Sequence, residues 1–408
     1  MSLEEARALD AADPLRGMRE RFALPDGLIY LDGNSLGALP RATSVHLADV
    51  VGRQWGEDLI TSWNKHGWID WPTRIAAKLA PLVGAKPNEV LVADSTTICL
   101  FKMLAAAVAA RPGRSTILTE EGNFPTDLYA AQGLLALQPR LKLKSVPADQ
   151  LAANLDEDVC ALFLTHVDYR SGSRHDMAAL NRAAHGVGAL TLWDLSHSAG
   201  AIVLDLNGSG CDLAVGCGYK YLNGGPGAPA FIYVVEPLQD ALRSPLSGWM
   251  GHSDPFAFAS SFEPASGIGR FLTGTPSILS LAALEAGLDT FDGVAIPDIE
   301  RKAERLTGFF VDAVEGLCRE AFTLESPRDP AARGSHIVFA HRQGYAIMQA
   351  LIARGIIGDF RPPSLMRFGF APLYNGFEEA WLAAVALAQI LQDHEWDQPR
   401  FRERRKVT

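Results

Sequence analysis

From residue 89 onward the chain alternates short apolar runs with helix-length amphipathic stretches. Residues 89–93, 116–119, 142–146, 159–165, 189–193, 213–217 and 231–235 are apolar runs of strand length. Residues 98–110 and 128–137 show helical spacing between the first of them. Apolar runs without strict alternation, separated by helices, predict an α/β fold with a mostly parallel central sheet covered on both faces. Upstream, the first twenty residues have the period of an amphipathic helix, and residues 28–31 lead into Asp32-Gly-Asn-Ser-Leu-Gly37, a turn signal. Residues 41–62 and 73–83 also have helical spacing, and between them 63–71 is expected to be an aromatic-rich loop with His66 in its middle. Its rings either plug the core or line a pocket for a flat substrate. After Gly274-Thr275-Pro276 come helical patterns over 277–288 and 298–319, short β runs at 335–340, 356–361 and 367–370, and helices over 344–353 and 377–393. That order predicts a smaller C-terminal α+β domain.

Composition changes this picture little. At 408 residues, 48% hydrophobic and 21% charged, the chain is an ordinary globular sequence long enough for two domains. Its net charge of −10 offers no general basic face to nucleic acid or an anionic membrane. The basic tail 400–406 is the exception and is expected to be a solvated terminus. No apolar run has membrane-spanning length, and the acidic N-terminus lacks a signal-peptide core. Cysteines 99, 160, 211, 217 and 318 form neither a CxxC pair nor a disulfide framework, as expected in a reducing cytoplasm.

Candidate chemistry collects at the carboxyl ends of the apolar runs, where open α/β sheets bind ligands. Thr96, Phe124, Thr165, Asp194 and Lys220 all fall there. Lys220 follows a buried-looking run, where a charge is costly without a partner or a task. Asp194 and His197 close the neighbouring run in Trp193-Asp-Leu-Ser-His197. A lysine and an acid on adjacent strand ends suit a pyridoxal phosphate (PLP) site, the lysine joining the cofactor's carbonyl carbon and the acid keeping its ring nitrogen protonated. Asp94-Ser-Thr-Thr97 at a helix start suits a phosphate, or is an ordinary N-cap. Phe124 either stacks on the ring or staples its own helix, and Thr126 and Asp127 either face the cofactor or cap that helix. Arg367, in an apolar run of the small domain, needs an anion: a substrate carboxylate, or a neighbouring acid. No GxSxG nucleophile elbow stands in a strand–turn–helix context, and His166 and Asp168 lack a third ligand at metal spacing, so no metal is expected.

The segments YLDGNSLG, NFPTD, WDLSHSAGA, GYKYLNGGPGAP, GWMGH and LMRFGFAPLYN resemble the kynureninases, within the aspartate-aminotransferase-like (fold-type I) PLP enzymes. They run from about residue 30 to 375. The resemblance implies hydrolytic cleavage of the Cβ–Cγ bond of L-kynurenine to anthranilate and L-alanine, or of 3-hydroxykynurenine to 3-hydroxyanthranilate. It implies that Lys220 carries PLP, that Asp194 pairs with the pyridine nitrogen and that His197 sits beside the ring. Thr96, Thr97 and Tyr219 would bind the phosphate region, with Phe124 stacked, Pro125, Thr126 and Asp127 close by and Thr165 near the phenolic oxygen. Trp249 and Thr275 would reach the phosphate across a homodimer boundary; some relatives carry Asn where this chain has Thr275. Arg367 would hold the substrate carboxylate, with His66, Asn34 and Ser35 facing the aryl group, and Tyr219 would move a proton in later steps. The implied organisation is an N-terminal segment 1–60 serving the small domain and dimer contacts, a large PLP domain 61–275 and a small domain 276–408.

Two other readings compete. A cysteine desulfurase or selenocysteine lyase needs a reactive cysteine on a mobile loop, and the only cysteine after Lys220 is Cys318, in a helical pattern. A non-catalytic protein that keeps the PLP fold for binding would have no need of Lys220, Asp194 and Arg367 together.

Overall fold

The apolar runs after residue 89 form one seven-stranded sheet, and its connections decide where the site lies. The computed structural model describes residues 1–404. Helix α1 (Leu3–Ala11) is followed by a 3-10 turn, strand β1 (Ile29–Tyr30) and helix α2 (Arg41–Asp49), which continues as a π-helical turn over Val50–Trp55. Short helix α3 (Ser62–Lys65) and helix α4 (Trp71–Leu79) precede β2 (Val90–Ala93) and α5 (Thr96–Ala109). Then come β3 (Thr116–Glu120), α6 (Pro125–Leu137), β4 (Lys142–Val146), β5 (Val159–Thr165), α7 (Met177–Gly186) and β6 (Leu190–Asp194). Strands β7 (Leu213–Cys217) and β8 (Ala230–Val234) complete the sheet, whose order is β2-β8-β7-β6-β5-β3-β4. Only β8 runs against its neighbours. Pleating sends alternate residues to opposite faces: Val90 and Val92 join one apolar cluster with Trp71 and Trp193, while Leu91 and Ala93 join another with Met103 and Phe163.

The remaining chain builds a second layer system. Short α8 (Glu236–Gln239), α9 (Ile278–Leu288) and the long α10 (Ile296–Cys318) lead to β9 (Thr323–Leu324) and β10 (His336–Ala340). Helix α11 (Gly344–Ala353) is followed by β11 (Ile356–Ile357), β12 (Asp359–Arg361), β13 (Leu365–Gly369), α12 (Phe377–Gln392) and α13 (Pro399–Arg402). Four of these strands form a sheet in the order β12-β13-β10-β9. A third apolar cluster, including Phe310, Ile337, Met366 and Leu387, packs α10, α11 and α12 on it. The N-terminus joins this cluster through Ala6 and Leu31, and β1 pairs with β11 in parallel. Asp10 accepts the Phe377 and Glu378 N–H groups at 2.7 and 2.9 Å, capping α12 from the far end of the chain.

Several expected elements differ. The expected helix over the first twenty residues ends at Ala11 and resumes as the 3-10 turn Arg16–Arg21. Residues 63–71 are not a loop: α3, the 3-10 turn Trp68–Asp70 and the start of α4 occupy them, broken at Gly67, whose φ is +65°. Trp68 and Trp71 are buried and meet edge to face at 6.4 Å, so these rings plug the core. The run 356–361 is split at Gly358, where a side chain would stand 2.7 Å from the Arg367 carbonyl oxygen. Of the basic tail 400–406, residues 405 and 406 lie outside the described residues.

Candidate active site at the carboxyl edge of the sheet

Strands β2, β3, β5, β6 and β7 all point their carboxyl ends at one cavity of about 210 Å³. Thr96, Thr97, Phe124, Thr126, Asp127, Thr165, Asp194, His197, Tyr219 and Lys220 line it, together with Tyr169 and Ser196. Pro125 sits behind Phe124 as the first residue of α6, where its missing N–H is harmless.

Each wall has a local cause. Asp94 ends β2 with φ +50°, the left-handed region, and turns the chain into α5. Its carboxylate accepts from the buried Lys102 Nζ at 2.7 Å, and Lys102 also donates to the Phe271 carbonyl, so this lysine is a structural tie. Ser95, at the N-cap, makes no side-chain capping bond. The N-terminal N–H groups of α5 therefore remain available beside the Thr96 and Thr97 hydroxyls, the requirement for an anion site. Phe124 likewise makes no cap; its ring meets Tyr169 edge-on at 5.1 Å and lies 5.9 Å from Lys220 Nζ.

Buried carboxyls and imidazoles set the electrostatics. Asp127 and Asp194 are both held above the ordinary carboxylate range, first by burial; for Asp127 the charge of Asp194 adds to it. The Ser196 N–H donates to Asp194 Oδ1 at 2.7 Å, and the charge of Lys220 opposes the rise. Thr165 Oγ1 lies 2.5 Å from Asn123 Oδ1 and 3.0 Å from Asp127 Oδ2, so it buttresses the acid as well as lining the cavity. Burial, then the charge of Lys220, hold the His197 imidazole neutral. Burial also raises the Tyr219 hydroxyl, keeping it a phenol. His197 Nδ1 and Asp127 Oδ1 are buried without a hydrogen-bond partner, as expected of groups that await a polar ligand.

The Asp32–Gly37 turn and strand β13 approach the lysine segment. Gly37 donates to the Tyr219 carbonyl at 2.8 Å, bringing the Asp32–Gly37 turn onto the lysine segment. Arg367 is bound by Asp359, and its Nη2 lies 3.3 Å from Ser35 Oγ, so the serine stands at the guanidinium. Asn34 is fully buried against Gly369 with both amide atoms unpartnered. Asn34, Ser35 and Arg367 are not among the residues that line the cavity, and three more expected residues are not brought to it within one chain. His66 is held 2.7 Å from Asp58 and beside Arg53. Trp249 lies half-exposed on a 3-10 turn, and Thr275 lines a separate cavity of about 100 Å³ with Asp94.

The sequence reading missed Tyr169, Ser196, Asp32, Asp359 and His336. The signal for Ser196 was its place between Asp194 and His197, and for Asp359 a carboxylate inside an apolar strand. His166 and Asp168 have structural partners: His166 Nδ1 lies 2.8 Å from Ser198 Oγ, and Asp168 accepts the Ser171 N–H within its own turn.

The family described as the kynureninase C-terminal domain matches residues 299–387. Kynureninase of Burkholderia mallei is 50% identical over 99% of both chains, and that of Pseudomonas fluorescens is 49% identical over 98% of both. Among solved structures, cysteine desulfurases of Thermococcus onnurineus and Escherichia coli superpose with a TM-score of 0.77 at 18% and 20% identity, covering 92% and 93% of this chain and 98% of theirs. A cystine C–S lyase bound to cysteine persulfide is also similar, with a TM-score of 0.75 at 18% identity over 89% of this chain and 98% of that one. At those identities the structural likeness carries the fold, that of the fold-type I PLP enzymes. Half-identity over the full length carries more, and the chain belongs to the kynureninase family.

Proposed function

We propose that this chain hydrolyses the Cβ–Cγ bond of L-kynurenine to anthranilate and L-alanine, with 3-hydroxykynurenine as the rival substrate and PLP, held at Lys220, as cofactor. The observation that carries this is the convergence of Lys220, Asp194, Phe124 and the open N-terminus of α5 on one cavity, in a chain half-identical to kynureninases. The residues fit the cofactor. The uncapped helix start would hold its phosphate, Phe124 its ring and Asp194 its pyridine nitrogen, and the orphaned His197 Nδ1 and Asp127 Oδ1 would take its polar groups. When bound, the pyridoxal group supplies a sink for the electrons released at the carbons beside the substrate amine.

The chain's own groups do the rest. Lys220 takes the proton from the substrate Cα and returns it, because its amine stands in the cavity between the Phe124 and Tyr219 rings. Asp194 and Asp127, buried together, keep a proton within the site. Water adds to the substrate's γ-carbonyl carbon; when the Cβ–Cγ bond breaks, Tyr219, held as a phenol, donates the proton that Cβ takes up and regains one from the hydrate hydroxyl, which becomes part of the anthranilate carboxyl group. Arg367 binds the α-carboxylate with Ser35 beside its guanidinium and Asn34 next to it on the same turn, whereas His66, held by Asp58, does not reach the cavity of its own chain. Trp249 and Thr275 complete the phosphate site of a second copy. The exposed aromatic group Trp249, Phe256, Phe258 and Phe262 supports such a homodimer, since burying it on a second copy removes apolar surface from water. Free, buried thiols at all five cysteines suit a reducing cytoplasm, and among the described residues no helix is long and apolar enough to cross a membrane. The desulfurase reading loses its nucleophile, because Cys318 is buried in α10 and its thiol is pushed up to about 11.

The test is to supply purified protein with PLP and either substrate, following loss of kynurenine, anthranilate fluorescence and alanine. Equimolar anthranilate and alanine are expected. A PLP-loaded protein that turns over neither kynurenine nor 3-hydroxykynurenine contradicts the proposal.

A further inference from the structure

Arg367 and Asp359 face each other across β13 and β12 as register partners, which sets their side chains on one face of the small sheet. Both are almost completely buried. Arg367 Nε donates to Asp359 Oδ1 at 2.6 Å and Nη2 donates to Oδ2 at 2.5 Å, a side-on bidentate pair. Nη1 donates to the Tyr169 carbonyl at 2.7 Å, tying the guanidinium to a residue that lines the active cavity. The fork is therefore fixed along its Nε edge and at Nη1. Its slackest contact is the one from Nη2 to Ser35 Oγ, at 3.3 Å.

This geometry has an electrostatic corollary. A buried guanidinium paired only with a carboxylate has no net charge left for an incoming anion. Here Arg361, partly exposed, also reaches Asp359 Oδ2 at 2.8 Å, so the Arg361–Asp359–Arg367 triad retains one positive charge. The nearby Asp32 carboxyl, which has one oxygen without a partner, is pushed up to about 7 by burial and by Asp359, and in its neutral form leaves that charge uncancelled.

We propose that Asp359 is a positioning residue for substrate recognition: it locks Arg367 side-on, so that the guanidinium presents its Ser35 edge to the α-carboxylate of an amino-acid substrate. The inference deepens the proposed function and rests on Arg367 as the carboxylate-binding group. Ser35 then borders the carboxylate end of the substrate, and its hydroxyl is the group the carboxylate displaces or bridges.

The test compares L-kynurenine with kynuramine, the same molecule without its carboxylate, on the PLP-loaded enzyme. Asp359→Asn keeps the shape but replaces one acceptor oxygen with a donor facing Arg367. It is expected to raise KM for kynurenine about tenfold to a hundredfold, the scale of one charge-assisted hydrogen bond, with a smaller change in kcat. Kynuramine's dissociation constant, read from its perturbation of the cofactor absorbance, stays at the wild-type value. Asp359→Glu, which retains the charge but displaces the fork, gives the same split if the asparagine variant does not fold. Equal weakening of both ligands, or no change in either, overturns the role of Asp359. Arg367→Gln separates the two claims: if it leaves the affinity for kynurenine unchanged, or weakens kynurenine and kynuramine equally, the carboxylate reading of Arg367 itself is wrong. If Arg367→Gln abolishes the discrimination and neither Asp359 variant alters it, only the positioning claim fails.

Discussion

Gly37 approaches Lys220 so closely that a Cβ there would stand 2.4 Å from the lysine's carbonyl oxygen and 2.6 Å from Asn223 Oδ1. The turn that carries Asn34 and Ser35 is thus seated directly on the backbone of Lys220, the lysine proposed to carry the cofactor. Gly37→Ala forces backbone away from backbone, at about 1–3 kcal/mol for an overpacked site. The expected outcome is a lower thermal midpoint together with faster loss of PLP on dialysis, followed by visible absorbance. Retention of PLP at the wild-type rate would show that the turn does not brace the lysine. Residues of this kind were legible in part. Lys220 and Asp194 announced themselves as charges closing apolar strands, whereas Asp359 and His336 were not recognised: Asp359 meets Arg367 only through the pairing of two strands, and neither ring nitrogen of His336 has a hydrogen-bond partner to point to it. A lone arginine in a strand shows that it needs an anion. Only the register of β12 on β13 shows that a carboxylate already stands beside it.

At the scale of elements, the strands of the large sheet were the most readable part. Buried parallel strands are continuous apolar runs, and 159–165 and 213–217 coincide with β5 and β7. Their carboxyl ends then place the site without further information, because crossover connections bring all those ends to one edge. The helix α5 shows how an element and its function are linked. Its N-cap serine could have closed the helix start, and the absence of that bond is what leaves the start open to an anion. The segment 63–71 was misread because Gly67 and three tryptophans look like loop punctuation. In the structure the glycine only interrupts a helical path, while Trp68 and Trp71 fill the core. Nor did the pattern show that the N-terminus caps α12 through Asp10, since a capping partner from the opposite end of a chain leaves no local trace.

On the scale of the whole molecule, the junction of the two sheets is rich in buried, neutral imidazoles. His166 and His336 are each pushed down to about 3, and His197 is held well below its usual value, in every case first by burial. A histidine whose folded-state pKa is depressed contributes stability above its unfolded value near 6.5, and that contribution is lost as pH falls through this value toward the folded one. The raised carboxyls of Asp32, Asp127 and Asp194 act in the opposite sense, losing their contribution as pH rises from about 4. A single-residue comparison isolates one term. His336 has neither ring nitrogen partnered, so His336→Phe removes its titration without breaking a hydrogen bond. Relative to wild type, the variant is expected to gain about 1.4 kcal/mol on moving from pH 7.5 to 5.5, in urea unfolding followed by circular dichroism. An unchanged difference between the two pH values would mean that His336 is protonated in the folded protein.

The two layers of this fold meet around one lysine, Lys220, proposed to carry the cofactor. The most direct test of that role is borohydride reduction of the PLP-loaded protein, followed by proteolysis and mass spectrometry of the labelled peptide. A single phosphopyridoxyl adduct is expected, on Lys220, and none in a Lys220→Ala variant. An adduct on another lysine, Lys102 included, or a visible imine band that persists in the variant, would contradict it.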